Sequence, residues 1–210
     1  MHIRNVSRAS GADLYDRPVH FFFRTLWQGL LARFRSPLGL WDTASTPFRV
    51  LPTDLDVLRH MNNGVYLSIL DIARLDLMLR SRTWPQLKER GWYPVVVSET
   101  ISFRRSLQLW QRFTVETRTL GFDDRAVYME QRFVVGGEVY ARAYIKARFL
   151  KRSGGIVPMD ELRALAGLAP GESAPGQLES SRMPAWLLEW GRDAQLPSTK
   201  TPAPSRWEGE

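Results

Sequence analysis

The sequence predicts an α+β domain in which an antiparallel sheet wraps around one central buried helix. Two observations carry this expectation. Residues 65–80 form a helical pattern in which Ile69, Leu70, Ile72, Ala73, Leu75, Leu77 and Met78 cover more than one face. A helix apolar nearly all round must be surrounded by protein when it is too short for a membrane. After it come strand patterns over 94–103, 112–120, 126–135 and 139–150. The last three are joined by tight turns, which makes an antiparallel meander.

The elements follow in chain order. Residues 1–17 are polar and without a period. Over 19–34, Phe23, Leu26, Trp27, Leu30 and Phe34 recur at helical spacing, with Arg24, Gln28 and Arg33 toward another face. This amphipathic helix is too short and too charged to span a bilayer. It suits a membrane surface, or docking on its own domain or a partner subunit. Ser36-Pro37-Leu38-Gly39 ends it. Residues 48–51 read as a short strand. Asn62 or Asn63 can cap the buried helix. Gly121-Phe122-Asp123-Asp124 reads as a turn and Gly136-Gly137 as a two-residue hairpin. Ser153-Gly154-Gly155 closes the meander. Short helices are expected over 159–168 and 184–190, the second with Trp186, Leu187 and Trp190 on one face. The Pro-, Ser- and Thr-rich stretch 196–210 reads as disordered. The organisation is thus an N-terminal extension (1–44), a domain (45–155) and a C-terminal extension (156–210).

Composition narrows the function. The chain has 210 residues, 44% hydrophobic and 24% charged, enough for a core without staples. It has no cysteine, which excludes disulfides, thiolate metal sites and Cys nucleophiles. No metal motif, Walker loop, dinucleotide fingerprint or serine-hydrolase elbow is present, so no cofactor is expected. The net charge of +7 fits nucleic acid, an anionic membrane or an anionic substrate. The arginines are spread along the chain, and no nucleic-acid-binding signature accompanies them, so nucleic acid is not expected. No secretory signal is visible, because charge interrupts the early apolar segment. The expected location is cytoplasmic, peripheral to a membrane if residues 19–34 meet lipid.

The densest chemistry lies in the run from Asp54 and Asp56 through His60, Asn62 and Asn63 to Tyr66. It sits where an apolar strand gives way to the apolar helix. Such a junction gathers side chains and free backbone N–H groups at one point. A carboxylate beside those donors is workable for acyl transfer. Each residue also has a plainer reading. Asp56 and Asp54 can cap a turn, His60 can be a structural hydrogen-bonding residue, and Asn62 and Asn63 can be helix caps. Tyr66 can be core packing. Asp71 can form an i,i+3 ion pair with Arg74. Arg104 and Arg105, read as lying on a strand, point to opposite faces, and one can bind phosphate or face solvent.

The same residues carry a resemblance. Asp-x-Asp-x-x-x-His-x-Asn-Asn-x-x-Tyr over 54–66, with Asp71, Ala73-Arg74, Arg104-Arg105-Ser106-Leu107 and Leu120-Gly121-Phe122-Asp123-Asp124-Arg125, resembles the hotdog-fold thioesterases of the 4-hydroxybenzoyl-CoA thioesterase type. Within that type the chain is most similar to the thioesterase superfamily member six branch. The resemblance covers residues 45–152. It implies hydrolysis of acyl-CoA thioesters, with Asp56 as nucleophile or general base and the N–H groups of Asn63 and Gly64 holding the oxyanion. His60 is a further candidate, and Asp71 is an alternative acid by analogy with a phenylacetyl-CoA thioesterase-like branch. Asn62, Tyr66, Arg104 and Arg105 are the candidate substrate-binding residues. A homodimer or dimer of dimers is implied. A non-catalytic acyl-chain-binding or membrane-associated scaffold, and an acyl-carrier-protein thioesterase, are the competing functions. The family commonly has Gly before the His, where this chain has Leu58-Arg59. It commonly has Pro at Ser106, and a Gly-Asp pair soon after is missing here.

Overall fold

The computed structural model describes residues 19–175, 183–197, 201 and 204–205. The expectations for 1–17 and for most of 196–210 lie outside the described residues. In chain order the elements are α1 (Val19–Ala32), β1 (Ala44–Arg49), a 3-10 turn (Pro52–Asp54), α2 (Asn63–Arg80), α3 (Thr83–Glu89), β2 (Trp92–Phe103), β3 (Arg112–Phe122), β4 (Val127–Val135), β5 (Glu138–Lys151), α4 (Met159–Leu165) and α5 (Ala185–Asp193). The strands form one sheet in the order β1-β3-β4-β5-β2, antiparallel throughout.

The sheet curves around α2. Ile69, Leu70, Ala73 and Leu77 of α2 pack with Val115, Phe133, Ala143 and Ile145 in one buried cluster. Polar bonds lock the helix to the sheet within this apolar setting. The Gln131 amide of β4 donates to the Leu70 carbonyl at 3.1 Å and to the Thr117 hydroxyl at 2.9 Å, and its oxygen accepts from Arg74 at 2.7 Å. A buried amide satisfied on both ends fixes register without leaving an unpaired group. The expected all-round burial of α2 is incomplete: Asn63, Gly64 and Asp71 lie on an exposed stripe.

Both sheet edges are informative. At one edge, Pro47 sits within β1 opposite Thr114, where its missing N–H is harmless on the open side. α1 covers that edge with its polar side. Gln28 donates to the Pro47 carbonyl at 2.9 Å and Arg24 to the Arg49 carbonyl at 2.8 Å. Arg24 also grips both oxygens of fully buried Asp54 at 3.1 and 2.9 Å. Arg35, just past the helix, pairs with buried Asp76 at 2.6 Å. α1 therefore docks on its own domain, through these polar residues together with Phe21, which packs against the core, and buried Ala32. Its other large apolar residues point outward: Phe22 is 65% exposed and Trp27 59%, and Phe34 just past the helix is 81% exposed. The other edge, β2, is paired with β5 alone.

Several boundaries differ from expectation. Gly121 and Phe122 continue β3, and the turn begins at Asp123, whose Oδ1 accepts from the N–H groups of Arg125 and Ala126 at 2.6 Å each. Gly121 serves close packing, since a Cβ there would stand 2.9 Å from the Ser173 carbonyl oxygen. Gly136 and Gly137 both have positive φ, 57° and 83°, as a primed hairpin turn requires. α3 was not expected. α5 lies on the outer face of the sheet, where Leu187 is buried and Trp186 meets Tyr144 edge-on at 4.9 Å. Lys146 of β5 donates to the Gly191 carbonyl at 2.6 Å, and burial lowers its pKa. No helix among the described residues is long and apolar enough to cross a membrane.

Candidate active site

The motif forms a tight loop between the 3-10 turn and α2. Asp56 N–H donates to the His60 carbonyl at 2.9 Å, and Arg59 N–H donates to the Asp56 carbonyl at 3.0 Å. Leu55 and Met61 form a bridge, and Asn62 N–H donates to the Asp54 carbonyl at 2.8 Å. The result is a three-residue hairpin, a turn closed by one residue in the left-handed region. That residue is Arg59, with φ of 62°. The position preceding His60 is where the resembled family commonly has Gly, and the backbone gives the reason. A left-handed conformation costs a side-chain-bearing residue about 1 kcal/mol relative to glycine. Arg59→Gly is therefore expected to raise unfolding stability by about 1 kcal/mol in a denaturant titration.

The Asp56 carboxylate is held from one side. Its Oδ1 accepts from the N–H groups of Leu58 at 2.8 Å and His60 at 3.2 Å. Its Oδ2 carries no bond within the described chain. Asp56 is half-buried, whereas Val57, Leu58, Arg59 and His60 are exposed. Asn62 caps α2 by accepting from Gly64 N–H at 2.8 Å. This corrects one expectation: the Gly64 N–H is already occupied, so it does not reach a substrate oxygen while the cap stands. The Asn63 N–H, also at the helix start, has no partner within the described chain. It is the donor there that a developing oxyanion can use.

The remaining candidates fall into three places. Asp54 is structural, buried under Arg24 and capping the Leu51 N–H at 2.9 Å. Tyr66 is enclosed by Phe103 and Phe133, its hydroxyl accepting from Leu107 N–H at 3.2 Å, and burial raises its pKa. It holds the loop after β2 in place, which is the core-packing reading. Asp71 forms the expected ion pair with Arg74, its side chain 69% exposed against 8% for Arg74. Arg104 and Arg105 are not on a strand with opposed side chains. β2 ends at Phe103, both arginine N–H groups donate to the Tyr140 carbonyl, and both guanidinium groups meet Glu138, at 3.2 and 2.9 Å. The bend turns the two side chains to one carboxylate at the surface.

Two features escaped the sequence reading. One is a cavity of about 370 Å³ between the second half of α2 and the sheet, with Asp71 and Arg74 among its lining residues. The other is Glu99, the sole charged residue in the apolar run of β2. Burial raises its pKa, the Arg74 charge opposes that shift, and the Asp71 charge adds to it. The fold thus favours the neutral acid. Stability should fall as pH rises from the ordinary carboxyl range through the raised value. Glu99→Gln is expected to raise the melting temperature at pH 7 and to change it little at pH 3.5, where both states are protonated. Among the described residues, no group of His, Asp and Glu is placed to hold a metal ion.

Comparison with known proteins agrees with this architecture. Residues 50–191 match the family described as the Thioesterase-like superfamily. The chain is 43% identical over 99 residues to the protein named THEM6 of Xenopus laevis, covering 47% of this chain and 48% of that protein. It is 34% identical over 131 residues to THEM6 of Danio rerio, covering 62% of this chain and 65% of that protein. The chain spans about half to two thirds of the length of these curated relatives. Among solved structures, the probable thioesterase YbaW of Escherichia coli matches with a TM-score of 0.55 and 26% identity, over 58% of this chain and 94% of that one. The 12:0-ACP thioesterase of Umbellularia californica shares the fold at a TM-score of 0.53 and 13% identity, over 64% of this chain and 54% of that one. A five-stranded antiparallel sheet wrapped around α2, with a capped carboxylate loop feeding the helix, is the hotdog fold, and the chain belongs to the thioesterase-like superfamily.

Proposed function

We propose that the protein hydrolyses acyl-CoA thioesters, releasing a free acid and coenzyme A, with Asp56 as the catalytic carboxylate. The observation that carries this reading is the Asp56 loop, which fixes one carboxylate oxygen and leaves the other open immediately before the start of α2. In the water route, Asp56 takes a proton from water as the oxygen attacks the thioester carbon. The carbonyl oxygen becomes negative beside the Asn63 N–H, the C–S bond breaks, and the proton passes to the leaving thiolate. In the nucleophile route, Asp56 Oδ2 attacks the thioester carbon and the C–S bond breaks, expelling the thiolate and leaving a mixed anhydride; water then cleaves the anhydride, restoring the Asp56 carboxylate and freeing the acid, and the water proton goes to the thiolate. The basic surface supports an anionic carrier, and an acyl-carrier protein is the alternative to coenzyme A. The open β2 edge, with Tyr93, Val96, Val97 and Phe103 exposed, supports pairing of two copies along that strand. We read the location as cytoplasmic. The test is turnover of a panel of acyl-CoA and acyl-carrier thioesters by the full chain, followed as thiol release. Absence of turnover across the panel overturns the reading.

A second property is favoured by the outward apolar face of α1. A helix docked by its polar side leaves Phe22, Phe23, Leu26, Trp27, Leu30 and Phe34 for another surface. Exposed patches of this kind mark interaction sites, and an aromatic-rich helix on a basic protein suits an anionic lipid surface. The double variant Phe23→Ser, Trp27→Ser is expected to weaken sedimentation with anionic vesicles while leaving the melting curve in place. Equal sedimentation of parent and variant removes the lipid role.

A further inference from the structure

Arg24 lies in α1, before the residues 50–191 that match the family, yet it reaches the loop that carries Asp56. Its Nη1 donates to both oxygens of Asp54, at 3.1 and 2.9 Å, and its Nη2 to the Arg49 carbonyl at 2.8 Å. One guanidinium thus ties the last residue of β1 to the first carboxylate of the loop. Its central carbon lies 5.4 Å from the Phe48 ring centroid, a cation–π contact that holds the group over the end of β1. Asp54 is fully buried, and Arg24 is the one cation it meets among the described residues. From Asp54 the path to the site is short. Its carbonyl accepts from the Asn62 N–H at 2.8 Å, and Asn62 caps α2 beside the Asn63 N–H. Asp56 follows two residues on, at most about 7 Å of chain away. Asp54 therefore frames both the carboxylate side of the hairpin and the helix-start side.

We infer that Arg24 is a positioning residue for the site: through Asp54 it holds the Asp56 carboxylate and the Asn63 N–H in their mutual placement, although it touches no reacting atom. Its effect on turnover rests on the thioester reading above; the positioning itself rests on the bonds. Without Arg24, the buried Asp54 carboxylate keeps only the Leu51 N–H as a donor. A buried carboxylate left in that state takes a proton or swings toward water. Either response remakes the contacts of the residue whose carbonyl holds the Asn62 N–H. A misplacement on the order of 1 Å between reacting groups can cost about a hundredfold in rate, so a partial shift has a measurable effect. Arg35 supplies an internal control. It also pins the extension, pairing with Asp76 at 2.6 Å. Asp76 lies near the far end of α2, about 20 Å along the helix from Asn63. It keeps Arg80 and Thr46 when Arg35 is lost, so the Asp56 loop is not disturbed.

The experiment compares Arg24→Met with Arg35→Ala in the full chain, each well below its own melting temperature. Hydrogen exchange of the amides in residues 55–64 reports the loop, and steady-state thiol release from acyl-CoA reports turnover. Arg24→Met is expected to speed exchange of the Asp56, Asn62 and Gly64 N–H groups at least about tenfold. It is expected to lower kcat at least about tenfold with KM changed less than about threefold. Arg35→Ala is expected to change either readout less than about twofold, although it too loosens α1. An equal fall for both variants reports loosened docking only and overturns the inference. Because Arg24 acts through Asp54, the double variant Arg24→Met, Asp54→Asn is expected to lose no more kcat than the worse single variant. Losses that multiply also overturn the inference. The double variant buries no unpaired charge, so it decides if Arg24→Met does not fold: parental exchange and kcat in the folded double variant refute the positioning role. If the parent turns over no thioester, the thioesterase reading fails and exchange alone decides the positioning. If the parent is active and Arg24→Met keeps both its kcat and its protection, the thioesterase reading stands and the inference falls.

Discussion

Asp56→Asn is expected to lower thioester turnover at least about a hundredfold, the scale of losing a catalytic acid or base, with little change in melting temperature. The two effects separate because the two oxygens of Asp56 have different duties. Oδ1 ties the N–H groups of Leu58 and His60 and shapes the loop. An amide oxygen can keep both bonds, so the loop survives in the Asn variant. The charge and basicity at Oδ2 do not survive. Asp56→Ala removes both duties and should also cost about 1 kcal/mol of stability, as cap removals do. Asp71→Asn should retain more activity than Asp56→Asn, because the Asp71 carboxylate is exposed and its charge is neutralised by Arg74. Steady-state kinetics beside thermal melts reads all three variants. An Asp56→Asn enzyme as fast as the parent leaves Asp56 a loop cap only. Loss ordered the other way moves the chemistry to α2.

The central architecture was legible because it depends on local periodicity. The apolar pattern of α2 and the alternation of β2 to β5 report burial residue by residue, and neither needs knowledge of a distant partner. α3 was missed because Pro85 reads as a breaker, although it lies in the first turn, where N–H groups have no helical partner and proline is tolerated. The bend at Arg104 was missed for a different reason. The strand pattern ends at Phe103, as β2 does, but nothing in Arg104-Arg105-Ser106 shows that both arginines turn the same way; the Tyr140 carbonyl, thirty-five residues on, sets this by accepting both N–H groups. The motif at 54–66 was legible as a site, but its internal wiring was not. That Asn62 rather than a substrate occupies the Gly64 N–H, and that Arg59 must be left-handed, follow from how the hairpin closes. Asp76 went unremarked inside an apolar helix. It is nonetheless the meeting point of Arg35, Thr46 and Arg80, at 2.6, 2.8 and 3.2 Å.

Removing residues 1–36 is expected to lower stability by about 3–5 kcal/mol, the scale of leaving a buried charge without its partner. Periodicity showed that α1 is amphipathic but could not show which side docks. Burial of the apolar side is the ordinary outcome. Here four local demands prevail: the open carbonyls of Pro47 and Arg49 on the β1 edge, and the buried carboxylates of Asp54 and Asp76. Truncation removes the α1-side partner of each. Asp76 keeps Arg80 and Thr46, and Asp54 keeps only the Leu51 N–H, so Asp54 should carry the larger loss. Arg24→Ala should accordingly destabilise more than Arg35→Ala. For a chain of this size the full loss corresponds to a fall in melting temperature of about 10 °C or more. Calorimetry on the truncated chain and the two point variants measures this directly. A truncated protein that melts with the parent refutes the docking account. A truncated protein that melts early while the Phe23→Ser, Trp27→Ser protein melts normally assigns stability to the inner side of α1, and leaves the outer side free for whatever surface it meets.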